Sequence, residues 1–119
     1  MRVRFLLSSF NCDNANVFIY SIESYELRYD CSVSSFRLNY ANTFILIEAT
    51  NSQSHWIMIK ASQNQLAFSV DNELRTYLNT MDKQLFASSA QYLVNAPSSS
   101  LQNFNGYYQD FVVSECGTL

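Results

Sequence analysis

Apolar and polar residues alternate in short segments along most of the chain, and this period of two restricts the fold more than any other feature. In "YELRY" (25–29), three apolar side chains face one way and two charged side chains face the other. "SFRLNY" (35–40) repeats the pattern. Alternation of this kind is typical of strands that bury one side. Because such segments recur at spacings of about 8–12 residues, the sequence predicts an all-β fold.

We therefore expect one domain, residues 1–119, with roughly ten short strands in an antiparallel β-sandwich. The predicted strands are 3–10, 16–22, 25–29, 35–40, 43–49, 55–61, 65–71, 73–79, 91–96 and 107–114. The segment "TFILIEA" (43–49) is apolar without interruption, which predicts a strand covered on both faces. Helix formers near 81–88 predict one helical turn.

Low charge excludes several classes of function. Charged residues make up 14% of the chain and the net charge is −3. Nucleic acid binding needs clustered Lys and Arg, and so does a polybasic membrane anchor. The longest apolar runs, "FILI" and "WIMI", are far shorter than the roughly 20 residues that cross a bilayer. We expect neither nucleic acid binding nor membrane insertion.

Turns must form with very little glycine. The chain has two glycines, so we expect positive-φ positions to fall largely on Asn and Asp, which tolerate that region best after glycine. The pair Asp71–Asn72, between two predicted strands, is predicted to adopt this conformation.

Three cysteines allow at most one disulfide within the chain. Cys12 and Cys31 flank a predicted hairpin and could meet across it, which would leave Cys116 free or paired elsewhere. The alternative is three reduced thiols in a reducing compartment. With no CxxC motif and one histidine, the sequence does not predict zinc.

Catalytic signals are weak. The lone histidine, His55, begins a predicted strand, and no G-x-S-x-G nucleophile motif is present. The carboxylates at 23 and 26, and at 71 and 73, bracket turns, whereas glycoside hydrolysis needs two carboxylates converging across a cleft. We interpret the chain as not being an enzyme.

Calcium is the metal that the polar turns would suit, because it prefers carboxylate, amide and carbonyl oxygens. The best local cluster is "NCDNAN" (11–16), with Asp13 and Asn14 as candidate ligands. Asp71, in "DNE", is the second candidate. The competing interpretation is that these side chains satisfy their own backbone in turns.

Aromatic residues reach 15% of the chain, and two adjacent tyrosines are candidates for recognition. Tyr107 and Tyr108 point to opposite faces of one predicted strand, so both can be core only if both faces are covered. An exposed tyrosine suits sugar stacking or a protein contact. The loop asparagines Asn95 and Asn105 complete the predicted ligand-binding set.

The second half resembles the C-terminal half of a laminin G-like domain, within the concanavalin-like sandwich class. The matching motifs lie in "HWIMIKASQNQLAFSVDNELRTYL" and "AQYLVNAPSSSLQNFNGYYQDFVVS". The residues that match are Trp56, Val70-Asp71, Tyr92-Leu93, Pro97, Phe104, Gly106, Asp110 and Phe111. Asn72 and Val94-Asn95 replace family glycines, and Tyr107 replaces a family cysteine. The resemblance implies a jelly-roll-like sandwich with Phe104 and Phe111 in the core around a Gly106 turn, and an extracellular binding role.

The first half, "RFLLSSFNCDNANVFIYSIESYELRY", is similar to the start of the lectin-like domain named after farnesoic acid O-methyltransferase. That domain is also a β-sandwich, so both resemblances imply a non-catalytic role. We expect an extracellular or cell-surface module that binds a protein or a glycan. The alternative is a structural subunit that self-associates through strand edges or through Cys116.

Overall fold

The fold consists of ten strands in the part of the chain that the structure describes. The computed structural model describes residues 2–22, 25–40, 43–62, 65–79 and 101–114. The strands are β1 (Arg2–Leu7), β2 (Asn16–Ile22), β3 (Tyr25–Asp30), β4 (Ser35–Tyr40), β5 (Thr43–Glu48), β6 (His55–Ser62), β7 (Gln65–Val70), β8 (Leu74–Asn79), β9 (Gln102–Asn103) and β10 (Tyr108–Ser114). The prediction of an all-β sandwich with about ten short strands is confirmed.

Two sheets form the sandwich. The first sheet has the strand order β10-β1-β6-β7-β8 and is antiparallel throughout. The second has the order β5-β4-β3-β2, also antiparallel, and is extended by the two-residue strand β9, which runs parallel to β2. The chain crosses between the sheets after β1, after β5 and after β9, and these three connecting segments lie at one end; a fourth crossing, between β8 and β9, falls outside the described residues.

The space between the sheets is filled by a mixed aromatic and aliphatic layer, because the strands alternate. Val3, Phe5 and Leu7 of β1 are buried, as are Leu27 and Tyr29 of β3. Each large apolar side chain buried in this way stabilises the fold by about 1.5–3 kcal/mol. The aromatic rings meet mainly edge to face or tilted, as for Phe10 against Tyr29 at 5.0 Å between centroids.

Most predicted strand positions agree with the structure, and two agree exactly, β2 and β4. Strand β1 ends at Leu7 rather than continuing to residue 10. The reason is that the backbone N–H of Ser8 donates to the carbonyl of Tyr107, and that of Phe10 donates to the carbonyl of Asn51. The first bond keeps Ser8 beside the start of β10 in the first sheet, and the second draws the chain towards the segment that follows β5 of the second sheet.

The expectation that residues 43–49 are covered on both faces is wrong. Strand β5 is an edge strand of the second sheet. Ile45 and Ile47 point inward and are buried, whereas Phe44 and Leu46 point outward with 46% and 43% of their surface exposed. An uninterrupted apolar run therefore supplies one core row and one row on the surface.

Strand β10 carries an irregularity that the predicted pattern did not include. Its pairing with β1 shifts register between Arg4 and Leu6, and Asp110 has a φ of 52°. The ring of Phe111 stacks on Phe5 at 5.2 Å between centroids, yet it keeps 39% of its surface exposed because β10 is an edge strand. The structure therefore places Phe111 at the rim of the core. Phe104 is partly buried and packs against the core.

The predicted strand 91–96 and the helical turn at 81–88 lie outside the described residues, as do Asn95 and Cys116.

Burial of Tyr108 generates a prediction for alkaline solutions. Its hydroxyl donates to the carbonyl of Ile19 in the opposite sheet, and burial raises its pKa well above the usual value of about 10. The folded state thus keeps this proton to higher pH than the unfolded chain does. We expect the free energy of unfolding to be steady below about pH 10 and to fall as pH rises beyond it.

Urea unfolding from about pH 8 to about pH 11 tests this expectation. In Tyr108→Phe the fall should be shallower, while stability at neutral pH drops by about 1 kcal/mol through loss of the hydrogen bond. Burial also raises the pKa of Tyr29, an effect partly offset by a hydrogen bond with Ser34, so Tyr29 contributes to the slope that remains. An identical slope in both proteins would contradict the assignment to Tyr108.

Candidate binding site

Five connecting segments meet at one end of the sandwich, which we call the loop end: residues 8–15, 31–34, 49–54, 71–73 and 104–107. Strand register places them there. In the first sheet Leu7 pairs with His55 and with Tyr108, so the end of β1 lies beside the starts of β6 and β10. In the second sheet, Asn16 pairs with Asp30, and Ser35 pairs with Glu48.

A disulfide braces the loop end. Cys12 and Cys31 are bonded to each other, which joins the 8–15 and 31–34 segments. Of the two alternatives that the sequence left open, a Cys12–Cys31 bridge and three reduced thiols, the bridge is the one observed. Closing a loop between cysteines 19 positions apart restricts the unfolded chain by about 3 kcal/mol in the chain-entropy model.

Side-chain amides provide a second brace. Gln102 donates from Nε2 to the carbonyl of Asn11 at 2.8 Å and accepts at Oε1 from the N–H of Asp13 at 2.7 Å. The predicted ligand residue Asn105 accepts at Oδ1 from the N–H of Asn11 at 3.1 Å. Both side chains thus replace the backbone partners that an irregular loop lacks. The structure shows Asn105 as a residue that positions the loop.

Tyr107 is presented on a fixed backbone. Its N–H donates to Oγ of Ser8 at 2.7 Å, and its carbonyl accepts from the N–H of Ser8 at 2.9 Å. The side chain is 75% exposed. Gly106 permits this close approach, because a Cβ at that position would lie 2.8 Å from the carbonyl oxygen of Ser9 and 2.7 Å from Cζ of Phe104. A large aromatic ring therefore extends from a tightly held turn.

Tyr108 points the other way, as the alternation of the sequence predicts. Its ring lies between Phe5 and Phe104, with centroids 5.8 and 4.9 Å away. Its hydroxyl donates a hydrogen bond to the carbonyl of Ile19. Of the two adjacent tyrosines, the structure places Tyr107 at the surface and Tyr108 in contact with the core.

His55, which is buried, is hydrogen-bonded to Asp71, whose side chain is exposed, and we call the pair the His55–Asp71 unit. Nδ1 of His55 lies 2.8 Å from Oδ2 of Asp71, and Nε2 lies 2.6 Å from the carbonyl oxygen of Thr50. Oδ1 of Asp71 accepts from the N–H of Trp56 at 3.0 Å. A histidine that acts as general base needs one ring nitrogen facing a nucleophile, and here both nitrogens are taken. The unit joins the 71–73 turn to the 49–54 segment.

The backbone of this turn follows the prediction. Asp71 and Asn72 both have a φ of 62°, the left-handed conformation that Asp and Asn tolerate among residues with a side chain.

The calcium prediction fits Asp71 poorly, because both of its carboxylate oxygens already accept hydrogen bonds from protein donors. Asn14 accepts at Oδ1 from the N–H of Ala15, as in a local turn. Asp13 lies exposed in the same loop. Within the described residues, no three His, Cys, Asp or Glu side chains converge as a metal site would require. Calcium at Asp13 and Asn14 stays a prediction.

The outer face of the second sheet holds a group of polar residues that the sequence reasoning did not select. Arg28 and Arg37 are paired directly across β3 and β4, and Glu26 is paired with Asn39 in the same way. We call these four residues the arginine array. The alternation in both strands was recognised, but the pairing of the two arginines depends on strand register, which requires the length of the turn between them.

Hydrogen bonds link the array into a chain. Nε of Arg28 donates to Oε1 of Glu26, and Nδ2 of Asn39 donates to the same oxygen at 3.4 Å. Nε of Arg37 donates to Oδ1 of Asn39 at 2.7 Å. The guanidinium carbon of Arg37 also lies 4.1 Å from the centroid of the Phe44 ring on the neighbouring edge strand.

Neither the models of known protein families nor the curated proteins give a match to this chain. The residues that the structure describes include no helix with the length and hydropathy that crossing a bilayer requires.

The His55–Asp71 unit leads to a stability prediction. Asp71→Ala removes the acceptors of buried Nδ1 and of the Trp56 N–H, and we expect a loss of about 3 kcal/mol in the free energy of unfolding. Asn72→Ala is the matched control, since it has the same φ of 62°. It should lose only the backbone cost of about 1 kcal/mol. Equal losses in urea unfolding would show that the carboxylate contributes nothing.

Proposed function

We propose that this protein is a non-catalytic binding module that recognises a glycan or a protein through its loop end. The observation that carries the proposal is Tyr107, which is 75% exposed on a backbone held by two hydrogen bonds to Ser8. A rigid, amphipathic aromatic side chain loses little conformational entropy on binding and stacks well on sugars and apolar protein surfaces.

The bracing of the loop end supports a recognition role. A disulfide and two side-chain amides fix segments that would otherwise sample many conformations. Pre-organised loops avoid the ordering cost that weakens association. Rigid loops on a sandwich scaffold are a common place for binding residues.

An extracellular or cell-surface location is part of the proposal. The Cys12–Cys31 disulfide supports it, because disulfides persist mainly in oxidising compartments. The resemblance to laminin G-like domains supports the same location. The non-catalytic role is supported by His55, whose two ring nitrogens are used within the fold.

Substitution of Tyr107 tests the proposal. The folded protein is screened on a glycan array and against extracellular matrix proteins, with and without a calcium chelator. For any ligand found, Tyr107→Ala should weaken affinity about ten-fold or more, as for an aromatic hot spot. Its unfolding free energy should stay within about 0.5 kcal/mol of the parent, because the side chain is exposed.

Val33→Ala is the matched control, since Val33 is also exposed at the loop end. It should leave affinity unchanged. Failure of both screens, or equal affinity of Tyr107→Ala and the parent protein, would refute a role for the loop end.

A second candidate function, self-assembly, is favoured by strand β10. This strand is an edge of the first sheet, and Phe111, Val112 and Val113 are all partly exposed along it. An exposed apolar edge is a template for pairing with a further strand, and a second copy of the chain would supply one.

Light scattering over a range of protein concentrations tests self-assembly. If β10 mediates it, Val112→Lys should abolish the concentration-dependent rise in mass, because a lysine on an edge strand blocks pairing. Val33→Lys is the control, since Val33 and Val112 have similar exposures, 51% and 54%. A constant monomer mass for the parent protein would exclude this candidate.

A further inference from the structure

The arginine array places two like charges side by side without an anion between them. Arg28 and Arg37 are directly opposite on adjacent antiparallel strands, and like charges in that arrangement destabilise a sheet. Glu26 accepts from Arg28, whereas the nearest hydrogen-bond partner of Arg37 is the neutral amide of Asn39. The array therefore keeps one positive charge that no carboxylate within it balances.

Both guanidinium groups are oriented through one nitrogen only. In each case Nε is the atom that bonds to a neighbour two residues away on its own strand. The terminal nitrogens make no hydrogen bond to the described residues. Because an arginine fork binds a carboxylate through paired N–H groups, the two side chains are pre-organised with terminal donors that none of the described residues uses.

An apolar border lies beside these donors. Leu46 is directly opposite Arg37, and Phe44 is directly opposite Asn39. Both side chains lie on the outer surface of edge strand β5 and are partly exposed. Across β3, β4 and β5 the surface therefore has two rows, with Arg28, Arg37 and Leu46 in one and Glu26, Asn39 and Phe44 in the next.

The dimensions of this surface limit its ligand. Neighbouring strands are about 4.8 Å apart, and residues on one face repeat about every 7 Å along a strand. The surface from β3 to β5 is thus about 10 Å by 7 Å, which suits one or two monosaccharide rings. The net charge of −3 on the whole chain opposes a long polyanion, so the ligand should carry few charges.

From these observations we propose that the arginine array binds an acidic saccharide, whose carboxylate lies between Arg28 and Arg37 and whose ring packs on Phe44 and Leu46. This surface is on a sheet face, separate from the loop end, and it does not require Tyr107. The carboxylate would relieve the repulsion between the two guanidinium groups and gain charge-assisted hydrogen bonds.

The test uses trigalacturonate, a short sugar acid of which one or two rings can lie on this surface, and its uncharged methyl ester. The binding is followed by nuclear magnetic resonance of the isotope-labelled protein, and trigalacturonate should shift the amide resonances of β3, β4 and β5. The methyl ester should bind at least about ten-fold more weakly. Affinity should also fall as salt is added, because salt screens the partly exposed arginine charges. Absence of shifts, or equal binding of the ester, would overturn the proposal.

Arginine variants locate the site. Arg37→Gln should weaken trigalacturonate binding about ten-fold or more, and Arg37→Lys should recover only part of it, since lysine lacks the fork. Arg4→Gln is the matched control, because Arg4 is stacked over Trp56 at 4.2 Å on the other sheet. It changes the net charge equally and should leave affinity unchanged. Equal losses in Arg4→Gln and Arg37→Gln would show non-specific attraction and refute the site.

Two further measurements separate this inference from its competitors. Tyr107→Ala should bind trigalacturonate as the parent does, so failure of the loop-end proposal and failure of the array are distinguishable. A Glu-containing tripeptide with the same charge serves as the peptide probe. If it binds the array more tightly than trigalacturonate, the saccharide assignment is wrong.

Discussion

The fold depends on tyrosines whose rings fill the space between two sheets while their hydroxyls find acceptors there. Tyr108 of the first sheet donates to the carbonyl of Ile19 in the second. Tyr29 donates to the carbonyl of Ala49, where the chain leaves β5 for the other sheet, at 2.7 Å. The hydroxyls of Tyr20 and Tyr25 are bonded to each other at 2.7 Å. A buried hydroxyl without a partner is costly. The bond from Tyr108 to Ile19 therefore helps to fix the alignment of the two sheets, and the other two bonds satisfy hydroxyls within the second sheet and its connection.

That alignment determines where recognition can occur. All three described crossings between the sheets lie at the loop end, and each is bonded to another: Ser8 to Tyr107, and Phe10 to Asn51. Polar loops that would be mobile singly are therefore held as one unit. The outer sheet faces are left free of these crossings, and on the second sheet the face carries the arginine array. The molecule thus offers a rigid tip and a flat charged face, two surfaces with different chemistry.

Local rules account for much of the structure. Period-two alternation located β4 exactly, and β-branched and aromatic residues located β2. Scarcity of glycine made Asp71 and Asn72 candidates for positive φ, and hairpin geometry made the Cys12–Cys31 pairing an option. Predictions were wrong or incomplete where the burial or the partner of a residue depends on the order of strands in the sheet. The apolar run of β5 indicates burial on both faces only if the strand is central, and it lies at an edge. The carboxylate of Asp71 is a chemically suitable metal ligand, which is why the sequence suggested it. Its actual partner, His55, is 16 positions away in the sequence and comes close only in the folded sheet.

The two stacked arginines show why register carries information that composition lacks. Arg4 on Trp56 and Arg37 on Phe44 make nearly the same contact, at 4.2 and 4.1 Å. Arg4, however, is paired with Met58 and Val112, both apolar, whereas Arg37 is paired with Arg28. A chain with only seven Lys and Arg residues could keep them apart at no cost to its core. Directly opposing two of them lowers stability, and a requirement to bind an anion there is a physical reason for accepting that loss.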